Sequence, residues 1–165
     1  MAAHDLSLQL WRERELLELM LFKLETLQMF LATGRTRWVG HAANEIERVS
    51  GAMSDGALAR DTLVVSVAEE WGVPEAATLR ELIEAAPTEA WREVLDGHLQ
   101  AMTALVAEIG EMKKVNEQRL REALRVTQES AAGLGIATGA YDTSGDVVRV
   151  ASVYASGSPI GATRL

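Results

Sequence analysis

Residues 91–127 read WREVLDGHLQAMTALVAEIGEMKKVNEQRLREALRVT. Within them Trp91, Leu95, His98, Met102, Leu105, Ile109, Met112 and Asn116 stand four and three residues apart in alternation. That rhythm averages about 3.5 residues, the repeat of a helix packed lengthwise against other helices. It then slips, continuing at Leu120, Ala123 and Thr127. Two successive steps of four make a stutter, which locally unwinds a supercoil. Asn116 sits at the slip. A polar residue in a seam fixes register and partner choice at a cost in stability. The alternative is an exposed boundary residue.

Working outward, this helix is expected to start near Pro87-Thr88 and to run to about Ala132. A first helix over residues 6–32 follows from Leu10, Leu17, Leu21, Leu24 and Leu31, with Leu16, Met20, Leu27 and Phe30 on a flanking row. Asp5 or Ser7 can cap its start, and Thr33-Gly34 ends it. A second pattern runs over residues 36–71 through Trp38, Ala42, Ile46, Val49, Met53, Leu63, Val67 and Trp71. Gly51 and Gly56 interrupt it, each costing about 1 kcal/mol relative to Ala, so a frayed, kinked or broken stretch is expected there. Gly72 and Pro74 end it. A short helix over residues 75–85 suits Pro74 at a first helical turn. Trp71, Trp91 and Leu79 or Leu82 are expected to form one end of the core.

These elements predict an all-α protein: an antiparallel three-helix bundle or coiled coil with a short connecting helix. The bundle domain covers residues 1–133. From Gly133 glycines and serines recur, so residues 134–165 read as a flexible tail. One piece of it, residues 147–154, has strand-like composition, and a lone short strand is not stable by itself.

Composition narrows the function. The 165 residues carry 16 Lys and Arg against 24 Asp and Glu, a net charge of −8. A general nucleic-acid binder draws its affinity from cations on phosphate, so that class is disfavoured. The chain has no cysteine, which excludes disulfides, thiolate metal sites and Cys nucleophiles. The first ten residues lack a basic segment followed by a long apolar one, and residues 63–68 fall far short of a membrane span. A cytoplasmic protein without membrane insertion is expected.

Chemical motifs are weak. His4, His41 and His98 stand in no metal-ligand spacing. Gly133, Gly135 and Gly139 form a faint GxGxxxG, but no strand precedes it as a dinucleotide loop requires. Paired carboxylates such as Glu69 and Glu70 lie at solvent-face spacing. Trp38-Val39-Gly40 is similar to the Trp-x-Gly turn of the small helical-hairpin proteins of type VII secretion. The position four after Tyr141 is Gly145, however, so the export signal of those proteins is missing. A helix-start Trp packed in the core is the preferred reading. No enzyme and no cofactor are expected.

One resemblance carries function. Residues 10–25, LWRERELLELMLFKLE, resemble the flagellar export chaperones of the FlgN family in their actinobacterial form. Similar stretches are Gly34-Arg35-Thr36-Arg37-Trp38, Thr78-Leu79-Arg80-Glu81-Leu82, Trp91-Arg92-Glu93-Val94-Leu95, Asn116 with Leu120, and Tyr141-Asp142 with Gly145. The chain departs from the family at Lys113, where a second Asn is frequent. The resemblance implies a cytoplasmic type III export chaperone. It would bind the C-terminal helical segments of the hook–filament junction proteins, prevent early assembly and deliver them to the flagellar export gate. It also implies a gate contact at Tyr141, with Asp142 and Gly145. The stutter weakens self-packing in the later half of the third long helix, so Asn116, Leu120, Leu124 and Thr127 are the candidate cargo groove; the alternative is ordinary core. The rivals are a structural coiled-coil or adaptor protein with no export role, or a helical-hairpin protein related to type VII secretion.

Overall fold

The computed structural model describes residues 1–133. The segment 134–165, including the strand-like piece, lies outside the described residues. Every regular element among the described residues is helical: α1 (Ala2–Ala32), a 3-10 turn (Thr36–Trp38), α2 (Val39–Trp71), α3 (Leu79–Glu84) and α4 (Glu89–Gly133). The protein is an all-α helical bundle.

The first helix begins earlier than its apolar pattern suggested. Ala3 and Leu6 are buried, and the Ala2 N–H donates to the Glu70 carboxylate at 3.0 Å. A carboxylate from α2 therefore serves the orphan donor of the first turn, in place of Asp5 or Ser7. The buried row of α1 is Ala3, Leu6, Leu10, Glu13, Leu17, Met20, Leu24 and Leu27, at strict steps of three and four. It is rotated from the expected one: Leu21 and Leu31 are half-buried, while Met20 and Leu27 are fully buried. The rotation admits a charged residue, Glu13, to the seam.

Both α1 and α2 end on a left-handed glycine. Gly34 has φ 66° and Gly72 φ 69°. Arg35 N–H reaches back to Phe30 O at 2.9 Å and Val73 N–H to Ala68 O at 2.8 Å, the paired C-terminal bonds that satisfy last-turn carbonyls. The 3-10 turn then shifts the frame by one residue. Val39 is fully buried, and Trp38 is 37% exposed rather than part of the core. Its ring lies under the Arg37 guanidinium at 4.4 Å and beside His41 at 5.6 Å.

The second helix is unbroken, against the expectation raised by its glycines. Gly51 is exposed, with open space where a side chain would stand. At Gly56 a Cβ would meet Glu13 Cγ at 3.4 Å and Gln9 Nε2 at 3.5 Å, and Gln9 donates to Gly56 O at 3.0 Å. Those Cβ distances are ordinary contact distances, and tertiary packing outweighs propensity.

The connecting helix is shorter than expected and starts at Leu79. Thr78 and Glu81 form a reciprocal capping box, and Pro74 to Ala77 make a turn ahead of it. Leu79, Leu82 and Ile83 are buried, whereas Trp71 and Trp91 are only half-buried. The end of the core is thus aliphatic. In α4 the buried row is Leu95, His98, Leu99, Met102, Ile109, Asn116 and Leu120, close to the seam read from the sequence.

The residues group into two compact units. Unit 1 holds Met1–Leu19 with Val49–Glu108, and unit 2 holds Met20–Arg48 with the chain from Ile109. In unit 1, α1 and α2 run antiparallel: the N-terminal amine meets Glu70 at 3.1 Å, and Glu13 meets Arg60 at 2.7 Å. In unit 2, Lys23 of α1 pairs with Glu45 of α2 at 2.7 Å, and α4 packs on α1 through Asn116.

Candidate partner-binding site

The four residues expected to line a cargo groove sit at different depths. Asn116 is fully buried, and its Nδ2 donates to the Leu24 carbonyl at 2.9 Å. Its Oδ1 is buried without a hydrogen-bond partner among the described residues. Leu120 is also buried, Leu124 is half-buried and Thr127 is exposed. The Thr127 hydroxyl donates to Ala123 O at 2.9 Å, a local side-chain-to-backbone bond. One turn before Asn116, Lys113 is half-buried, and burial holds its ammonium pKa below the usual range.

Beyond Leu120 no described side chain as far as residue 130 is buried, although α4 continues to Gly133. The charged residues there pair along the helix, Arg121 with Glu117 and Arg125 with Glu129. Ala123 and Leu124 remain half-buried. Unit 2 therefore offers a helix face whose accessible part is Ala123, Leu124 and Thr127, with Asn116 and Leu120 beneath it. Tyr141, Asp142 and Gly145, the expected gate contact, lie outside the described residues.

Unit 1 contains two polar links that sequence reading missed. Arg60 Nη1 donates to Glu13 Oε2 at 2.7 Å, with both side chains less than one-tenth exposed. Burial pushes the Glu13 carboxyl pKa up, and the Arg60 guanidinium opposes that rise only in part. Gln9 also donates to Glu13, at 3.4 Å. The second link joins Ser7 Oγ and His98 Nε2 at 3.3 Å. His98 is buried, its Nδ1 has no partner among the described residues, and burial and then Arg14 hold its pKa below the usual value. The available signal was the heptad frame itself: counted from Ala3, it places Glu13 inside.

Other features are modest. A concavity of about 390 Å³ opens at the α1–α2 turn, lined by Gly34, Arg35, Thr36, Arg37 and Trp38. Among the described residues no three His, Asp or Glu side chains gather to hold a metal ion. No described helix is long and apolar enough to cross a membrane.

Comparison with known families decides which kind of chain this is. The model of the FlgN protein family matches residues 1–148. The chain belongs to the FlgN family. The match includes every stretch on which the sequence resemblance rested, Tyr141 to Gly145 among them. The FlgN proteins are flagellar export chaperones, not enzymes, and as a family they bind hook-associated proteins. No curated protein and no solved structure matches this FlgN chain.

Proposed function

We propose that this chain is the cytoplasmic chaperone of the flagellar hook–filament junction proteins. It binds their C-terminal helical segments, prevents them from assembling early, and delivers them to the export gate. The observation that carries this reading is the family match over residues 1–148. The far half of α4 supports it physically. A helix that runs on past its last buried residue leaves a face for an amphipathic segment, a helix-in-groove mode. Cargo engages Leu124 and Thr127 first. Asn116 and Leu120 join only if Asn116 gives up the Leu24 carbonyl. Tyr141, with Asp142 and Gly145, is the gate contact and is not needed for cargo binding.

The test is a calorimetric titration of the full chain with the C-terminal segments of the junction proteins. Saturable one-to-one binding is expected, unchanged by Tyr141→Ala and weakened by Leu124→Glu. Loss of binding in Tyr141→Ala would move that residue into the cargo site. Absence of binding by the unaltered chain would leave a structural coiled-coil role as the better reading.

A further inference from the structure

The chain carries 24 Asp and Glu in 165 residues, yet residues 26–44 contain none. That stretch holds the end of α1, the 3-10 turn and the start of α2, all within unit 2. Its two permanently charged residues are Arg35 and Arg37. A guanidinium keeps its proton throughout the working pH range. The turn is therefore locally cationic on a chain of net charge −8.

Both guanidiniums are exposed, and neither pairs with a carboxylate nor donates a hydrogen bond among the described residues. Each nonetheless stands on an ordered base. The Arg37 guanidinium lies 4.4 Å over the centre of the Trp38 ring. An arginine stacked on an aromatic face keeps the N–H groups in its own plane available to an anion. The backbone of Arg35 is tied on both sides. Its N–H bonds Phe30 O at 2.9 Å, and its carbonyl accepts from Trp38 N–H at 3.1 Å. With Gly34, Thr36 and Trp38 the two arginines line the concavity of about 390 Å³. That volume falls in the range of small-molecule sites, roughly 300–1,000 Å³.

The donors define the ligand chemistry. A guanidinium recognises an oxyanion through two parallel N–H bonds. A carboxylate has two oxygens and one charge, so a single arginine satisfies it. A phosphate monoester has three terminal oxygens and close to two charges, so it can engage both arginines at once. No acidic side chain in residues 26–44 competes for them.

We propose that the Gly34–Trp38 turn is a binding site for a phosphate group, engaged by Arg35 and Arg37 with Trp38 as the wall of the site. The group belongs to a soluble phosphorylated compound or to a phospholipid headgroup. The site does not involve residues 116–127, and its failure would leave the chaperone reading untouched.

The test titrates the isotope-labelled full chain with inorganic phosphate at fixed ionic strength, with chloride and acetate as comparison anions, and follows the amide resonances. Phosphate is expected to shift the amides of Gly34 to Trp38 saturably. Arg12, an exposed and unpaired arginine of unit 1, should show no saturable shift. Arg35→Gln and Arg37→Gln should each weaken phosphate about tenfold, the value of a charge-assisted hydrogen bond, while the rest of the spectrum stays that of the unaltered chain. Acetate should bind more weakly than phosphate. Sedimentation with phosphatidylcholine vesicles containing phosphatidic acid, against phosphatidylcholine alone, separates the two sources. Pelleting that both arginine variants abolish assigns a headgroup, and saturable phosphate binding without pelleting assigns a soluble compound. Shifts that do not saturate, that chloride or acetate reproduces equally, or that persist unchanged in both variants would overturn the proposal.

Discussion

The Arg60 guanidinium on α2 donates to the Glu13 carboxylate on α1 at 2.7 Å, and both side chains are less than one-tenth exposed. A charged pair thus occupies a position in the α1 seam where a leucine would otherwise fit. Removing one partner of a buried pair strands the other charge and costs about 3–5 kcal/mol, whereas an apolar replacement of both is close to neutral. Glu13→Leu and Arg60→Met are each expected to be strongly destabilising, and the double variant to recover most of the loss. Urea denaturation of the four proteins measures this cycle. Additive losses would show that the two charges are held by other groups.

The glycines of α2 are expected to be sites of cheap stabilisation. The helix runs unbroken through Gly51, where an added Cβ meets nothing within 4 Å. Gly51→Ala should therefore raise stability by about 0.5–1 kcal/mol, the propensity difference in a helix interior. At Gly56 the nearest atoms stand at 3.4–3.5 Å, which is ordinary contact, so Gly56→Ala should gain less. The midpoint of thermal unfolding reads both.

His98 makes unit 1 sensitive to mild acid. Its folded pKa is depressed, first by burial and then by Arg14, whereas in the unfolded chain it titrates near about 6.5. Above that value both states are neutral and nothing is lost. As the pH falls through it, the unfolded chain takes up a proton that the folded chain refuses, so stability drops until the folded pKa is passed. Stability measured between pH 7 and pH 5 should fall in the unaltered protein and fall less in His98→Gln. Parallel curves for the two proteins would remove His98 as the cause.

Asn116 and its neighbour Leu120 should respond differently to truncation. Leu24 O lies within α1 and already accepts a bond along the helix, and Asn116 Oδ1 has no partner among the described residues. Asn116→Ala is therefore expected to cost less than about 1.5 kcal/mol, the net value of one hydrogen bond. Leu120→Ala, which empties a fully buried leucine site, should cost about 2–5 kcal/mol. Asn116→Asp should be the worst of the three, since it buries a carboxylate against a carbonyl oxygen. Denaturant midpoints of the three variants decide the order.

Much of the fold was legible along the chain because helices announce themselves locally. The three-four rhythm of α4 and the glycines at 34 and 72 are signals within a few residues of each other, whereas the equally local Thr78–Glu81 cap went unread and the connecting helix was expected from residue 75. The frame of α1 was less legible, because counting only apolar residues favoured Leu21 and Leu31 over the true row through Glu13, Met20 and Leu27. Of the candidate site, the sequence placed Asn116, Leu120, Leu124 and Thr127 on one face of a helix. It did not indicate that the first two are covered and the last two accessible.

The sequence alone determined that the described chain is helical, where each long helix runs to within a few residues, and which family it belongs to. Periodicity and end signals are properties of neighbouring residues, and the family match is a property of residue order. Only the tertiary structure decided that Glu13 is inside, that Trp11 and Trp38 are outside, and that Asn116 bonds Leu24. Each of those depends on what a second helix presents opposite the residue: Arg60 for Glu13, a frame shift that favours Val39 over Trp38, the open seam beside His98 for Trp11, and a backbone carbonyl for Asn116. No local pattern encodes which residue of a distant helix will stand there.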